Sequence, residues 1–142
     1  MLRNRSIPNS TVIPELAYPD IGAAIAWLSD AFGFTLRVRI ADHRAQMNVG
    51  DGAVVLTETR ATKPAADETA DRTHGVMVRV GDVDMQYERA VRHGARVIHP
   101  PTTYPYGERQ CSLFDPGGHR WTFSQSVADT APEDWGGTSG VL

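Results

Sequence analysis

YPYGERQCSLFDPGGHRWTFSQSV, residues 104–127, is the stretch on which the reading of the fold turns. Gln110 to Phe114 and His119 to Ser124 carry strand patterns. Asp115-Pro116-Gly117-Gly118 between them supplies turn chemistry, because Pro presets φ at the first corner and Gly allows a positive φ after it. The alternation has a phase: Cys111, Leu113, Trp121 and Phe123 share one parity and are apolar, whereas Gln110, Ser112, Arg120, Thr122 and Ser124 share the other and, with Phe114 apart, are polar. A hairpin with one core face and one wet face follows.

Upstream of it, Ala95 to His99 reads as a strand broken by Pro100-Pro101. Asp82 can cap a helix with Val83, Tyr87, Ala90 and Val91 as its apolar stripe and Gly94 as its stop, and His74 to Val80 is a strand. The earlier half has the same order. Thr11 to Tyr18 is a strand in which Pro14 marks an edge, Asp20 caps a helix to about Phe32 that Gly33 ends, and Phe34 to Ile40, Ala45 to Val49 and Ala53 to Thr59 form a meander. The expected organisation is a loose N-terminal arm (1–10), a first βαβββ module (11–59), a linker (60–73), a second βαβββ module (74–127) and a flexible tail (128–142). Within that tail an exposed Trp135 would be out of place.

With 142 residues, 41% of them hydrophobic, the chain can bury one shared core. A net charge of −3 offers no basic footprint for phosphates, so nucleic acid is not an expected partner. No apolar run is long enough to span a bilayer, and MLRNRSIPNS lacks the apolar centre of a signal peptide; no membrane and a cytoplasmic location are the expectation. Cys111 stands alone, which excludes an intrachain disulfide, and on the apolar parity it reads as a packed hydrophobe.

The repeat extends to spacing. Ile13 precedes Asp20 by seven residues, as Gly75 precedes Asp82, and Gly52 precedes Leu56 by four, as Gly118 precedes Thr122. A half of this size with one helix cannot cover both faces of its sheet, so the two halves should close around a common cleft. The fold class expected is α+β: two βαβββ modules forming a curved mixed sheet around a concave cleft, with helices on the outer face.

The repeated order, the DPGGHRWTF turn and strand (115–123), the YGER segment before it (106–109) and the AWLSDAFGF helix end (26–34) resemble the vicinal oxygen chelate superfamily of glyoxalases, bleomycin-resistance proteins and extradiol dioxygenases. That resemblance implies a ligand site on the concave face and a homodimer with the site near its interface. It also implies metal ligands, in the enzymes of the family, on the first and last strand of each module. Laid on this sequence those positions are Ile13, Leu56, Gly75 and Thr122, none a strong donor. No cofactor is therefore predicted, and the alternative is a divalent metal displaced to Glu58 and His74.

The wet parity should present Glu15, Glu58, Met77, Arg79, Gln110, Ser112, Arg120 and Thr122. The charges among them can pair across the modules, or leave an arginine to clamp a carboxylate or phosphate. Tyr104, Tyr106 and Arg109 lie in a loop placed to act as a lid. The ligand-binding set expected is Met77, Arg79, Tyr106, Arg109, Gln110, Arg120 and Thr122. Two function classes follow: a small-molecule binding protein of the bleomycin-resistance kind without the family metal, or a lyase, isomerase or dioxygenase using the displaced metal or a base from Glu15 or Glu58. His43, His93, His99 and His119 read as surface or turn residues.

Overall fold

The computed structural model describes residues 1–59 and 74–140; the expected linker, 60–73, and the last two residues lie outside them. The first module runs β1 (Glu15–Tyr18), α1 (Ile21–Trp27), β2 (Thr35–Ile40), β3 (Arg44–Val49) and β4 (Gly52–Glu58). The second runs β5 (Val76–Arg79), α2 (Val83–Arg92), β6 (Arg96–Thr103), β7 (Glu108–Phe114) and β8 (Arg120–Ser126). Each module has one four-stranded mixed sheet, in the orders β1-β4-β3-β2 and β5-β8-β7-β6, with β1 and β5 parallel to their neighbours at equivalent edges.

Local chemistry explains the repeated elements. Asp20 and Asp82 hold extended backbone and accept from the N–H groups of Ala23 (2.9 Å) and Met85 (3.0 Å), capping α1 and α2. The last turn of the first helix widens into a π-helical turn, Leu28–Phe32, and Gly33 at φ 79° ends it. Pro100 and Pro101 do not break β6. It is an edge strand, and the register against β7 slips on either side of His99, so the missing N–H groups cost no ladder bond.

Alternation assigns the faces. Leu16, Tyr18, Met47, Val54 and Leu56 of the first sheet and Cys111, Leu113, Trp121 and Phe123 of the second form one buried cluster with Ile21, Leu28, Phe32, Val83 and Ala90 of the helices. The opposite, inner face carries Glu15, Gln46 and Val55 in one sheet and Met77, Gln110, Ser112 and Thr122 in the other.

The modules are joined through the helix side. Phe32, delivered by the π turn, stands edge-on to Trp121 (5.4 Å) and Phe123 (4.8 Å), contacts worth about 0.5–1.5 kcal/mol each beyond their burial. Arg89 of α2 donates to the carbonyls of Asp30 and Ser29, and Gln86 to that of Phe32, satisfying the open end of the first helix from the second module. Within the same core, Tyr18 Oη donates to Asp115 Oδ2 at 2.6 Å, and nearby His119 Nε2 lies 2.8 Å from the Ala17 carbonyl oxygen. The DPGGH segment is thus both a turn, closed by Gly118 N–H to Asp115 O at 2.9 Å, and a clasp on β1.

Among the described residues, both the tail and the arm make contacts with the modules. Val127 and Ala128 donate to the Gly107 carbonyl, and the 3-10 turn Pro132–Trp135 returns Trp135 to the ring of Tyr106 at 5.3 Å in the same chain. The arm is fixed by Arg37 and Gln46, and Pro8 is buried. No helix among the described residues is long and apolar enough to cross a membrane.

Candidate functional site

The inner face of the second sheet carries a continuous row of polar side chains. Tyr106 Oη donates to Gln110 Oε1 (3.1 Å), Gln110 Nε2 to Ser124 Oγ (3.0 Å), and Ser124 Oγ to Glu108 Oε1 (2.6 Å). Arg79 donates to Ser126 Oγ at 2.9 Å, and Ser112 and Thr122 share a hydrogen bond of 2.9 Å. The hydroxyls of Ser124 and then Ser126, followed by the charge of Arg79, hold the Glu108 carboxyl below the usual range, so it stays ionised. Burial first, then the neighbouring Tyr104 and Glu108, push the Tyr106 phenol upward, which keeps it a hydrogen-bond donor.

At the end of this row stand three aromatic rings. Tyr104 and Tyr106 are parallel at 5.3 Å, and Trp135 covers Tyr106 at an angle of 58°. Trp135 is 45% exposed and Met77 is 64% exposed, so apolar surface is open beside fixed polar groups. Next to β5 lies a cavity of about 280 Å³ between the modules, lined by Met77 and Arg79 together with Val12, Pro14 and the β3–β4 turn at Gly50-Asp51-Gly52.

A second cavity, of about 250 Å³, opens on the outer side between α1 and the DPGG turn, lined by Tyr18, Trp27, Ala24 and Pro116. Its polar side chains are already engaged: Asp20 caps α1, Tyr18 Oη donates to Asp115 and Trp27 Nε1 to the His93 carbonyl.

Met77, Arg79, Tyr106, Gln110, Arg120 and Thr122 therefore share a face, as the alternation implied, and Arg120 lays its stem beside Gly75, where an added Cβ would sit 3.6 Å from Cδ. Arg109 does not join them. It has the parity of Cys111, and its guanidinium forks onto both oxygens of Asp84 in α2 at 3.0 Å, on the helix side. Glu58 has the parity of Leu56 and is exposed on the helix side, away from Glu15. Glu15 is itself paired with Arg44 at 3.1 Å within its own module, and among the described residues no ion pair joins Glu15 or Glu58 to Arg79 or Arg120, so of the two alternatives pairing across the modules is not the one seen.

The register also moves one of the four positions at which the family carries metal ligands. Met77 lies opposite Thr122 and Glu15 opposite Val55, so the counterpart of Thr122 is Val55; Leu56 corresponds to Phe123, and both are fully buried among the core side chains. The four positions then read Ile13, Val55, Gly75 and Thr122. Among the described residues no three His, Cys, Asp or Glu side chains are grouped to hold a metal ion.

Residues that the sequence reading did not single out are Glu108, Ser126, Arg37 and Gln46. Parity was the available signal for Gln46, which alternates between the buried Ala45 and Met47.

Residues 10–123 match the family model of the Glyoxalase/Bleomycin resistance protein/Dioxygenase superfamily. The chain belongs to that superfamily. Among solved structures it is similar to TioX from Micromonospora sp. ML1, at 30% identity and a TM-score of 0.68 over 86% of this chain and 100% of that one. It shares its fold with a glyoxalase/bleomycin resistance protein/dioxygenase family enzyme from Burkholderia phytofirmans PsJN, at 19% identity and a TM-score of 0.67 over 81% and 97% of the two chains. It does so too with the genomically encoded fosfomycin resistance protein FosX from Listeria monocytogenes, at 13% identity and a TM-score of 0.65 over 84% and 94%. No protein of curated function matches the chain. Both the arm before residue 10 and the Trp135 turn fall outside the residues that the family model matches.

Proposed function

We propose that this superfamily member binds a small organic ligand on its inner face and does so without the family's metal. The observation that carries the reading is the chemistry of the four register-matched positions: Ile, Val and Gly side chains have no donor atom, and one Thr hydroxyl is a poor ligand for a divalent ion. Beside them, the row from Tyr106 to Glu108, with Arg79 and the Tyr104, Tyr106 and Trp135 rings, suits a ligand with a planar apolar part and hydrogen-bonding substituents. The carboxylates offered for base catalysis are poorly placed: Glu15 is exposed and ion-paired, and Glu58 faces the other way.

The assembly that goes with this reading is a twofold homodimer. Met77 and the 78% exposed Val12 flank the β5 edge and the cavity beside it, surface that a second copy would cover. A single monomer-mass species in sedimentation, unchanged on raising the concentration, would remove the dimer.

The test of binding is a titration of planar aromatic amides and acids, read by Trp135 emission against a Trp135→Phe control. Elemental analysis after dialysis against zinc, nickel, manganese and iron accompanies it. Saturable quenching that Arg79→Ala weakens at least tenfold, with no metal retained, is the expected result. One tightly held metal per chain, or no quenching by any member of the series, overturns the reading.

A further inference from the structure

The arm meets the inner face of the first sheet in a way that resembles a bound ligand. Arg37 sits at the irregularity where β2 slips against β3, and its guanidinium donates to the carbonyls of Arg5 (2.9 Å) and Ile7 (3.2 Å) as well as to Gln46 Oε1. Gln46 Nε2 donates to the Ser6 carbonyl at 2.9 Å. Three successive carbonyls are thus taken by two side chains. The arm is bent to offer them, with Ser6 N–H on Asn4 Oδ1 and Ile7 N–H toward Asn4 O. On this face, away from α1, Gln46 is 4% exposed and Val55 3%. A buried glutamine needs partners for both ends of its amide, and here the arm supplies one of them.

We propose that Arg37 and Gln46 form a binding site for carbonyl or carboxylate oxygens, and that residues Arg5–Pro8 occupy it as a built-in competitor which a carbonyl-bearing ligand displaces. The donors are fixed by the sheet, whereas the arm adds only carbonyl oxygens and one buried ring, Pro8, so an incoming group with two or three such oxygens replaces it without leaving a donor stranded. The arm lies before residues 10–123, which the family model matches. The docking stands by itself; the competition rests on the organic ligand lying on the inner face, as proposed above.

Two measurements on the full chain test the docking. Trypsin needs the Arg5 backbone free, so cleavage at Arg5–Ser6 relative to Arg3–Asn4 should be at least tenfold slower than in the free peptide MLRNRSIPNS. That protection should vanish in Arg37→Ala and in Pro8→Asp, which drives a charge into the buried proline's place and leaves both donors intact. The peptide is then titrated into ¹⁵N-labelled Pro8→Asp protein up to millimolar concentration, the range a short tether supplies in cis. The Gln46 side-chain amide signals should return toward their wild-type positions, with no response in wild type or in Pro8→Asp/Arg37→Ala. Equal cleavage ratios in wild type and free peptide overturn the docking. Failure of the peptide to move the Gln46 signals overturns the site, and protection that falls on dilution assigns the arm to a second copy. None of these readouts uses the organic ligand, so a failure of the binding reading stays separate.

Discussion

Asp115 is the residue whose loss should be felt across both modules. It is 3% exposed, and its Oδ2 accepts from Tyr18 Oη at 2.6 Å and Trp121 Nε1 at 2.9 Å, while Oδ1 accepts from the His119 N–H at 3.0 Å. Asp115→Ala strands the hydroxyl and the indole N–H in places that are 3% and 0% exposed. Each buried donor without an acceptor costs roughly 1–3 kcal/mol, giving about 2–6 kcal/mol for the two. At about 3–4 °C per kcal/mol for a chain of this length, the melting temperature should fall by roughly 6–24 °C. Tyr18→Phe alone should cost less, because the carboxylate keeps two donors. In the Asp115→Ala background the same change removes a stranded hydroxyl and should be neutral or favourable, so a double-mutant cycle in urea should show a coupling of about 1–3 kcal/mol. Burial and the Asp115 charge both push the Tyr18 phenol far upward, so the donor persists across the accessible pH range. A cost below about 1 kcal/mol for Asp115→Ala, or additivity within about 0.5 kcal/mol, would refute the clasp.

Further outcomes follow from the second module. Burial pushes the Cys111 thiol up to about 11, so it should resist iodoacetamide at pH 8 in the folded chain and react at the ordinary rate only in denaturant. Gly107 holds φ 83°, and a Cβ there would lie 2.5 Å from Ala128 O; Gly107→Ala should destabilise by about 1–3 kcal/mol and shift Trp135 emission to the red as the tail lifts. The lowered pKa values of Asp84, held first by Arg109, and of Glu108 mean stability that is present above the ordinary carboxylate range and is lost as pH falls through the depressed values; Arg109→Gln should raise the Asp84 titration midpoint seen by carboxyl NMR.

Much of the fold was legible because it rests on local chemistry. The two aspartate caps, the DPGG turn and the parity of β7 and β8 depend on residues within a few positions of one another. What was misread depended on counting across irregularities. Gly52 already belongs to β4, whereas Gly118 lies two residues before β8 begins, so equal spacing from these glycines put Leu56 in the place of Val55. Arg109 and Glu58 were misplaced even though their parity with Cys111 and Leu56 contained the answer; being charged outweighed being in phase. The Tyr18 to Asp115 bond joins residues 97 apart, and no spacing rule reaches that far. Arg37 was hidden for another reason: it sits where the strand slips register, so alternation gave it no face.

The arm is gripped by its main chain, through the carbonyls of residues 5, 6 and 7, while the side chains of Arg5, Ser6 and Ile7 are exposed. Every amino acid carries the same carbonyl, so substitutions at these three positions leave the grip nearly unchanged. A scan of side chains there would come back almost blank, and related chains could differ freely at all three while keeping the same bend. Variability in such a segment is therefore no sign of slackness. Pro8, which adds its ring to the buried contact, and Asn4, whose side chain takes the Ser6 N–H, tie docking to particular letters of the sequence.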